Sequence, residues 1–139
     1  MKITNRANLP DSLVRAVEND PYVGGGDISA TQLIGPPQIR VLRKQHEAVL
    51  EEDVLDRIWS LLGQAVHSIL ERAGGLGLTE QRLYMPVGGW SLSGQFDRLV
   101  FSPQGTLQDY KVTSTWSALS PKADWESQLN VLAALCRYN

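Results

Sequence analysis

Three short segments rich in β-branched and aromatic residues, joined by two turn sequences, constrain the fold most strongly. The segments are RLYMPV, WSLSGQFDRLVF and TLQDYKV. Gly88-Gly89 joins the first two, which is the signal of a two-residue hairpin. The second turn, Ser102-Pro103-Gln104-Gly105, carries proline and glycine at turn positions. The sequence therefore predicts a three-stranded antiparallel meander.

Helices are predicted before and after this meander in the sequence. Apolar periodicity and capping residues indicate helices over 11–18, 30–34, 38–46, 52–73 and 125–137, and Ser29 is the predicted cap of the helix over 30–34. The longest of them has the acidic start EED, which suits the positive end of a helix dipole, and Gly74-Gly75 follows it. Helices packed on a meander predict an α/β (α+β) fold.

The length and composition fit one domain. The 139 residues are divided into an N-terminal helix with a glycine-rich joint, 1–27, and a core, 28–139. The single cysteine, Cys136, excludes an internal disulfide framework and a four-cysteine zinc or iron–sulfur site. A net charge of −2 gives no global attraction to nucleic acid, so DNA binding would need a local patch. No apolar run resembles a membrane span or a signal peptide, which predicts a cytoplasmic protein without membrane contact.

Two carboxylates are expected to meet on neighbouring strands. Counting inward from a turn centred on Pro103-Gln104 places Asp97 almost opposite Asp109, and Lys111 shares a strand face with Asp109. Gln95 shares the face of Asp97. Paired carboxylates form a hard oxygen site for Mg²⁺ or Mn²⁺, and a lysine beside them can stabilise developing negative charge. This set suits metal-assisted phosphodiester hydrolysis, although an Asp-x-Lys strand is also typical of a solvated face.

The long helix carries a polar row at spacings of three and four residues. Its members are Ser60, Gly63, Gln64, His67 and Glu71. The imidazole of His67 suits Mn²⁺ better than Mg²⁺, and the alternative is an ordinary surface or hydrogen-bonded histidine. Glu71 is interpreted either as a residue just outside a metal's ligands or as an exposed acid. Gly63 costs about 1 kcal/mol relative to alanine in a helix, which indicates close approach by a backbone, a strand or a ligand.

The ordered motifs LLGQAVHSILE, LSGQFDRLV, LQDYKV and WESQLNVL resemble the PD-(D/E)XK nuclease superfamily, in particular its RecB-like exonuclease branch of the stand-alone phage type. ISATQLIGPPQIRVL resembles the N-terminal helical motif of that branch. The resemblance covers Ile28 to the end and implies a restriction-endonuclease-like core. It also implies a metal-dependent DNA nuclease, expected to be an exonuclease, in phage or bacterial DNA recombination, repair or degradation.

The resemblance assigns roles by position. Asp97 and Asp109 would be catalytic metal ligands, with His67 as a helix-borne ligand and the Tyr110 carbonyl as a further one. Lys111 would be the catalytic lysine. Gln128 matches a glutamine that helps to hold DNA, although Leu132 occupies the family's tyrosine position. The implied cofactor is Mg²⁺ or Mn²⁺, with Mn²⁺ favoured, and no iron–sulfur cluster is expected.

Further DNA contacts and a rival function remain open. Arg40, Arg43 and Lys44 share a helix face that either contacts phosphates or is solvated. Trp116 and Trp125 flank the loop after the strand of Asp109, where they either stack on unpaired bases or anchor the core. The expected partners are single-stranded DNA or duplex ends and a recombination protein. The rival is a non-catalytic nucleic-acid-binding or interaction module with the same fold, which the presence of both aspartates and the lysine disfavours.

The C-terminal end leads to a prediction about assembly. The last predicted helix runs to Arg137 and the sequence ends at Asn139, so a fourth core strand is apparently missing beside the strand of Asp109. An unpaired sheet edge exposes backbone donors and acceptors. We therefore expect a homo-oligomer, a truncated form of a longer nuclease, or both.

Overall fold

The computed structural model describes residues 1–22, 24–120 and 122–139, which form six helices and two sheets. The elements in chain order are β1 (Lys2–Thr4), α1 (Asp11–Glu18), β2 (Ile28–Ser29), α2 (Ala30–Ile34), α3 (Pro37–His46), β3 (Glu51–Asp53), α4 (Val54–Ala73), β4 (Leu78–Val87), β5 (Trp90–Val100), β6 (Thr106–Gln108), α5 (Thr115–Leu119) and α6 (Ala123–Tyr138). The predicted mixture of helices and strands is confirmed. None of the described helices is both long and apolar enough to cross a membrane.

The central strand of the larger sheet is β5. The antiparallel partner β4 covers one of its edges, from the tight turn at Gly88-Gly89 down to the pair Leu78 and Leu99. β6 pairs antiparallel with the end of β5, and β2 pairs parallel with residues near its start. The predicted meander β4-β5-β6 is confirmed. The sheet nevertheless has a fourth strand, β2, which precedes the meander in the sequence and pairs with β5. Among the described residues, no strand follows α6.

The strand after the second turn is shorter than predicted. TLQDYKV was expected to be one strand, but ladder pairing ends at Gln108. Beyond it, the backbone N–H of Tyr110 donates to the carboxylate of Asp97 and not to a backbone carbonyl of β5. A charged acceptor on the neighbouring strand therefore replaces the ladder hydrogen bond.

Capping side chains and strand pairing set the starts of two helices in the N-terminal half of the chain. Ser29 and Gln32 form a capping box at the start of α2, as the sequence predicted for Ser29. The long helix α4 begins at Val54 and not at Glu52, because Glu51–Asp53 pairs with β1. Asp53 instead caps α4 by accepting a hydrogen bond from the Leu55 N–H at 3.1 Å.

The core lies between β5 and the helices α2 and α6. Its buried members are Ala30, Leu92, Phe96, Leu132 and Leu135. Gly94 lies in the middle of this contact, where an added Cβ would come within 2.6 Å of Leu135 and 2.7 Å of Leu132. The glycine of the LSGQFD motif therefore lets α6 pack closely on the sheet.

Candidate metal centre and active-site cleft

A row of three carboxylates crosses the larger sheet. Extending the β4–β5 register places Glu80 opposite Asp97. Extending the β5–β6 register places Asp109 opposite Asp97 on the other side, as the sequence predicted. The three acids lie on adjacent segments in one line, with the buried Asp97 in the middle.

His67 reaches this row from α4. Its Nδ1 lies 3.2 Å from Glu80 Oε1 and 3.3 Å from Asp97 Oδ1, and its Nε2 lies 3.3 Å from the Tyr110 carbonyl oxygen. Both ring nitrogens therefore face hydrogen-bond acceptors, but a neutral imidazole carries only one N–H. A second proton or a metal cation would satisfy the other nitrogen.

The donor set fits a divalent metal. The ligand atoms of His67, Glu80 and Asp97 all lie within 4.8 Å of one another. One imidazole with two carboxylates suits Mn²⁺ and other transition metals, while Mg²⁺ prefers oxygen ligands alone. The Tyr110 carbonyl, predicted to be a ligand, faces Nε2 and would accept its proton when Nδ1 binds a metal. A hydrogen bond of this kind fixes the orientation of a ligating histidine.

The environment of Asp97 penalises its charge when no cation is present. Burial is the main cause that raises the pKa of this carboxyl, and the nearby charges of Asp109 and Glu80 act in the same direction. The N–H of Tyr110 and the charge of His67 oppose these effects. A divalent cation at this position would favour the ionised carboxylate.

Asp109 is held by a lysine and a glutamine. Lys111 Nζ lies 2.7 Å from Asp109 Oδ2 and donates to Gln128 Oε1 at 3.1 Å. Gln128 Nε2 donates to the other Asp109 oxygen at 3.4 Å. The structure thus brings Asp109, Lys111 and Gln128 together beside the cluster of His67, Glu80 and Asp97, the candidate metal cluster. Asp109 is not part of this group of potential ligands, so its role as a metal ligand stays a prediction.

Glu80 is the member of the site that sequence reasoning missed. It is a non-glycine residue with a left-handed φ of 50°, and its second oxygen accepts a hydrogen bond from Gln95 Nε2 at 2.7 Å. Gln95 in turn accepts from Arg82 at 3.0 Å. The signal was present in the hairpin, since Glu80 and Asp97 lie at equal distances on either side of Gly88-Gly89.

These residues line an open cleft of about 880 Å³. One wall is α4, which contributes Trp59, Gly63 and the predicted Glu71. The segment from Asp20 to Tyr22 also lines the cleft, and it is tied to α4 through hydrogen bonds from Arg57 and Gln64 to the Asp20 carboxylate, at 2.7 and 3.2 Å. An added Cβ at Gly63 would meet no atom within 4 Å. Neither a backbone nor a strand of the described chain approaches this glycine, so those two predicted reasons for it are wrong.

The remaining predicted DNA contacts lie away from this cleft. Arg40, Arg43 and Lys44 on α3 line a separate cleft of about 830 Å³. There the Arg40 guanidinium lies 5.5 Å from the centroid of the Trp90 ring. Trp116 on α5 is 81% exposed, so the alternative that it anchors the core is wrong.

Comparison with known proteins gives a similarity in fold and no match in sequence. No family model matches the chain, and no curated protein matches it. The fold is similar to the crystal structure of SSO0001, with a TM-score of 0.69 and 18% sequence identity. The alignment covers 90% of this chain and 65% of SSO0001, so the chain spans slightly less than two thirds of that protein. At this identity the similarity shows a shared fold alone.

Proposed function

We propose that the chain is a metal-dependent DNA nuclease of the RecB-like branch of the PD-(D/E)XK superfamily, with a restriction-endonuclease-like core. The observation that carries the proposal is the gathering of His67, Glu80 and Asp97 within 4.8 Å beside the Lys111–Asp109 pair. A metal-ligating set next to a lysine in an open cleft is suited to phosphodiester hydrolysis.

The proposed metal is Mn²⁺ or Mg²⁺, held by His67 Nδ1 and the carboxylates of Glu80 and Asp97. When bound, such a cation polarises a phosphoryl oxygen and offsets the negative charge of the reacting phosphate. Gln95 keeps Glu80 aimed at the cluster through its hydrogen bond at 2.7 Å. Asp109 lies next in the row, where it holds Lys111 by charge.

Lys111 is the proposed electrostatic catalyst. Asp109 and Gln128 hold its ammonium at 2.7 and 3.1 Å, so it is preorganised before a substrate arrives. A fixed positive group costs no reorganisation when charge develops on a phosphate, which is why such groups accelerate hydrolysis. Gln128 is therefore a positioning residue for Lys111.

The proposed partner is DNA. The cleft is open, with a volume of about 880 Å³, and it also contains Glu71 near the C-terminal end of α4. The cations of α3, Arg40, Arg43 and Lys44, are proposed to contact phosphates beyond the cleft. None of the described salt bridges involves these three cations.

The proposal is tested by a cleavage assay on labelled single-stranded and duplex DNA, in linear and circular forms, with Mg²⁺, Mn²⁺ or a chelator. We expect metal-dependent cleavage that the chelator abolishes and that Mn²⁺ supports better than Mg²⁺. Loss of linear DNA with circles intact would show an exonuclease. DNA that stays intact with both metals, in a folded protein, would contradict the proposal and favour a non-catalytic module.

A further inference from the structure

Three residues on one face of α4 connect the metal cluster to an exposed aromatic ring. Trp59, Gly63 and His67 follow one another at intervals of four residues, so they lie along the same side of the helix. All three line the cleft that holds the metal cluster. The helix thus forms a wall with an indole at one end and a proposed metal ligand at the other.

The spacing along this wall matches a short stretch of nucleic acid. Eight residues of α-helix span about 12 Å, which is the length of roughly three to four stacked nucleotides. Trp59 is 62% exposed and lines the cleft, so part of its side chain is accessible there. Between the two side chains, Gly63 leaves open space where any other residue would project a Cβ.

The segment from Asp20 to Tyr22 carries a second exposed aromatic ring. Tyr22 is 64% exposed and lines the same cleft. The guanidinium of Arg82 lies 5.4 Å from the centroid of its ring. Arg82 also donates to Gln95, so Tyr22 is linked to the hydrogen bonds that support Glu80. The cleft is therefore lined by two exposed aromatic rings, one of which has an arginine beside it.

We infer that this cleft takes single-stranded DNA, with an unpaired base stacked on Trp59 and the backbone passing over Gly63 to the metal cluster. The inference rests on the proposed nuclease function and adds the form of its substrate. Bases in a duplex are already stacked inside the helix, whereas unpaired bases are free to stack on an indole. Trp59 would then favour single strands whatever their sequence, because every base has a flat face.

The competing explanation is that Trp59 belongs to an apolar surface of α4. Leu55 and Leu62 are also exposed on this helix. Neither leucine lines the cleft, whereas Trp59 does. Leu62→Ala is therefore a matched control, since it removes an exposed apolar side chain from the same helix outside the cleft.

The first test measures binding without cleavage. Fluorescence anisotropy in the presence of a chelator would follow a labelled oligothymidylate of about 15 nucleotides, near the upper site size of a single-strand binding fold. We expect Trp59→Ala to weaken binding about fivefold or more, Trp59→Phe to restore most of it, and Leu62→Ala to leave it within about twofold. Binding by Trp59→Ala equal to the wild type would overturn the inference.

The second test measures cleavage with Mn²⁺. We expect Trp59→Ala to raise the KM for single strands with little change in kcat, because Trp59 lies far from the reacting phosphate. Gly63→Leu, which keeps the helix but fills the open space, should also raise this KM, while Gly63→Ala should change it much less.

A wild type that cleaves DNA with equal KM values for single strands and duplex would refute the single-strand inference and leave the nuclease proposal standing. A wild type that cleaves nothing would overturn the nuclease proposal, and the binding test would still decide the role of Trp59.

Discussion

His67 is placed so that each ring nitrogen has a different task. Its Nδ1 faces the carboxylates of Glu80 and Asp97, and its Nε2 faces the carbonyl of Tyr110. When Nε2 carries the proton and donates it to the carbonyl, Nδ1 is left free for a cation. One residue of α4 therefore couples the long helix to the carboxylate row.

We predict that replacing His67 changes the preference among metals. Mn²⁺ should raise the melting temperature of the wild type more than Mg²⁺, because a ligand that binds only the native state stabilises it and Mn²⁺ accepts nitrogen ligands more readily. His67→Ala should reduce the effect of Mn²⁺ and narrow the difference between the metals. Thermal unfolding with each metal measures this. Unchanged shifts in His67→Ala would remove His67 from the metal site.

Lys111 leads to a prediction about rate. Lys111→Ala should keep the fold and the metal-induced rise in melting temperature, because the side chain is partly exposed and is not a ligand. Its cleavage rate should fall at least ~100-fold, the effect of losing one preorganised electrostatic group. Single-turnover kinetics with saturating Mn²⁺ would measure it, with the exposed Lys122→Ala as the control. Cleavage by Lys111→Ala at the wild-type rate would refute the role.

At the scale of single residues, the sequence predicted Asp97, Asp109 and His67 in the site but not the contact between His67 and Glu80. Hairpin counting placed Asp97 opposite Asp109, and the structure has that register. The same counting, applied to Gly88-Gly89, would have added Glu80. The left-handed backbone of Glu80 and its contact with His67 could not be predicted in this way, because they depend on how α4 is placed over the sheet.

At the scale of elements, two glycines have opposite roles. Gly94 on β5 faces Leu132 and Leu135 of α6, so an added methyl group would meet buried side chains. Gly63 on α4 faces open space in the cleft, so an added methyl group would meet no protein atom within 4 Å. The first glycine serves packing, and the second weakens its own helix without any packing contact.

We predict opposite changes in stability from the same substitution at these positions. Gly94→Ala should lower the free energy of unfolding by about 1–3 kcal/mol, the usual cost of overpacking a core. Gly63→Ala should raise it by about 0.5–1 kcal/mol, because alanine is the better helix former. Urea denaturation followed by circular dichroism would measure both. A Gly63→Ala protein less stable than the wild type would show that this position is packed after all.

The accuracy of element prediction depended on whether the signal was local. The hairpin at Gly88-Gly89 and the cap at Ser29 were predicted correctly, since both depend on neighbouring residues. The end of β6 and the start of α4 were not, because distant partners decide them. Asp97 draws the Tyr110 N–H out of the ladder, and β1 pairs with Glu51–Asp53. The parallel pairing of β2 with β5 is also non-local.

At the scale of the molecule, the apolar surface of α4 supports the predicted self-association. Its exposed apolar side chains outside the cleft are Leu55, Leu62, Ile69 and Leu70. The sheet edge that first suggested an oligomer is a weaker reason, because β6 is only three residues long. Contiguous exposed apolar surface is more typical of an interface than of a free surface.

We therefore expect a concentration-dependent dimer in which α4 contributes apolar contacts. Sedimentation velocity over a range of concentrations would measure it. Ile69→Glu should shift the equilibrium to the monomer without unfolding the chain, because Ile69 is exposed and a glutamate is tolerated on a helix surface. A monomer at every concentration would contradict the prediction, as would a dimer that Ile69→Glu leaves unchanged.

The most direct test of the central proposal compares DNA cleavage by the wild type and Asp97→Asn with Mn²⁺. Asp97 lies at the centre of the carboxylate row and within the cluster of potential ligands, so its charge is essential if the site holds a metal that supports hydrolysis. We predict that the wild type releases nucleotides from DNA, while Asp97→Asn stays folded, loses the metal-induced rise in melting temperature and does not cleave. Cleavage by Asp97→Asn at the wild-type rate, or no cleavage by either protein, would contradict the proposal.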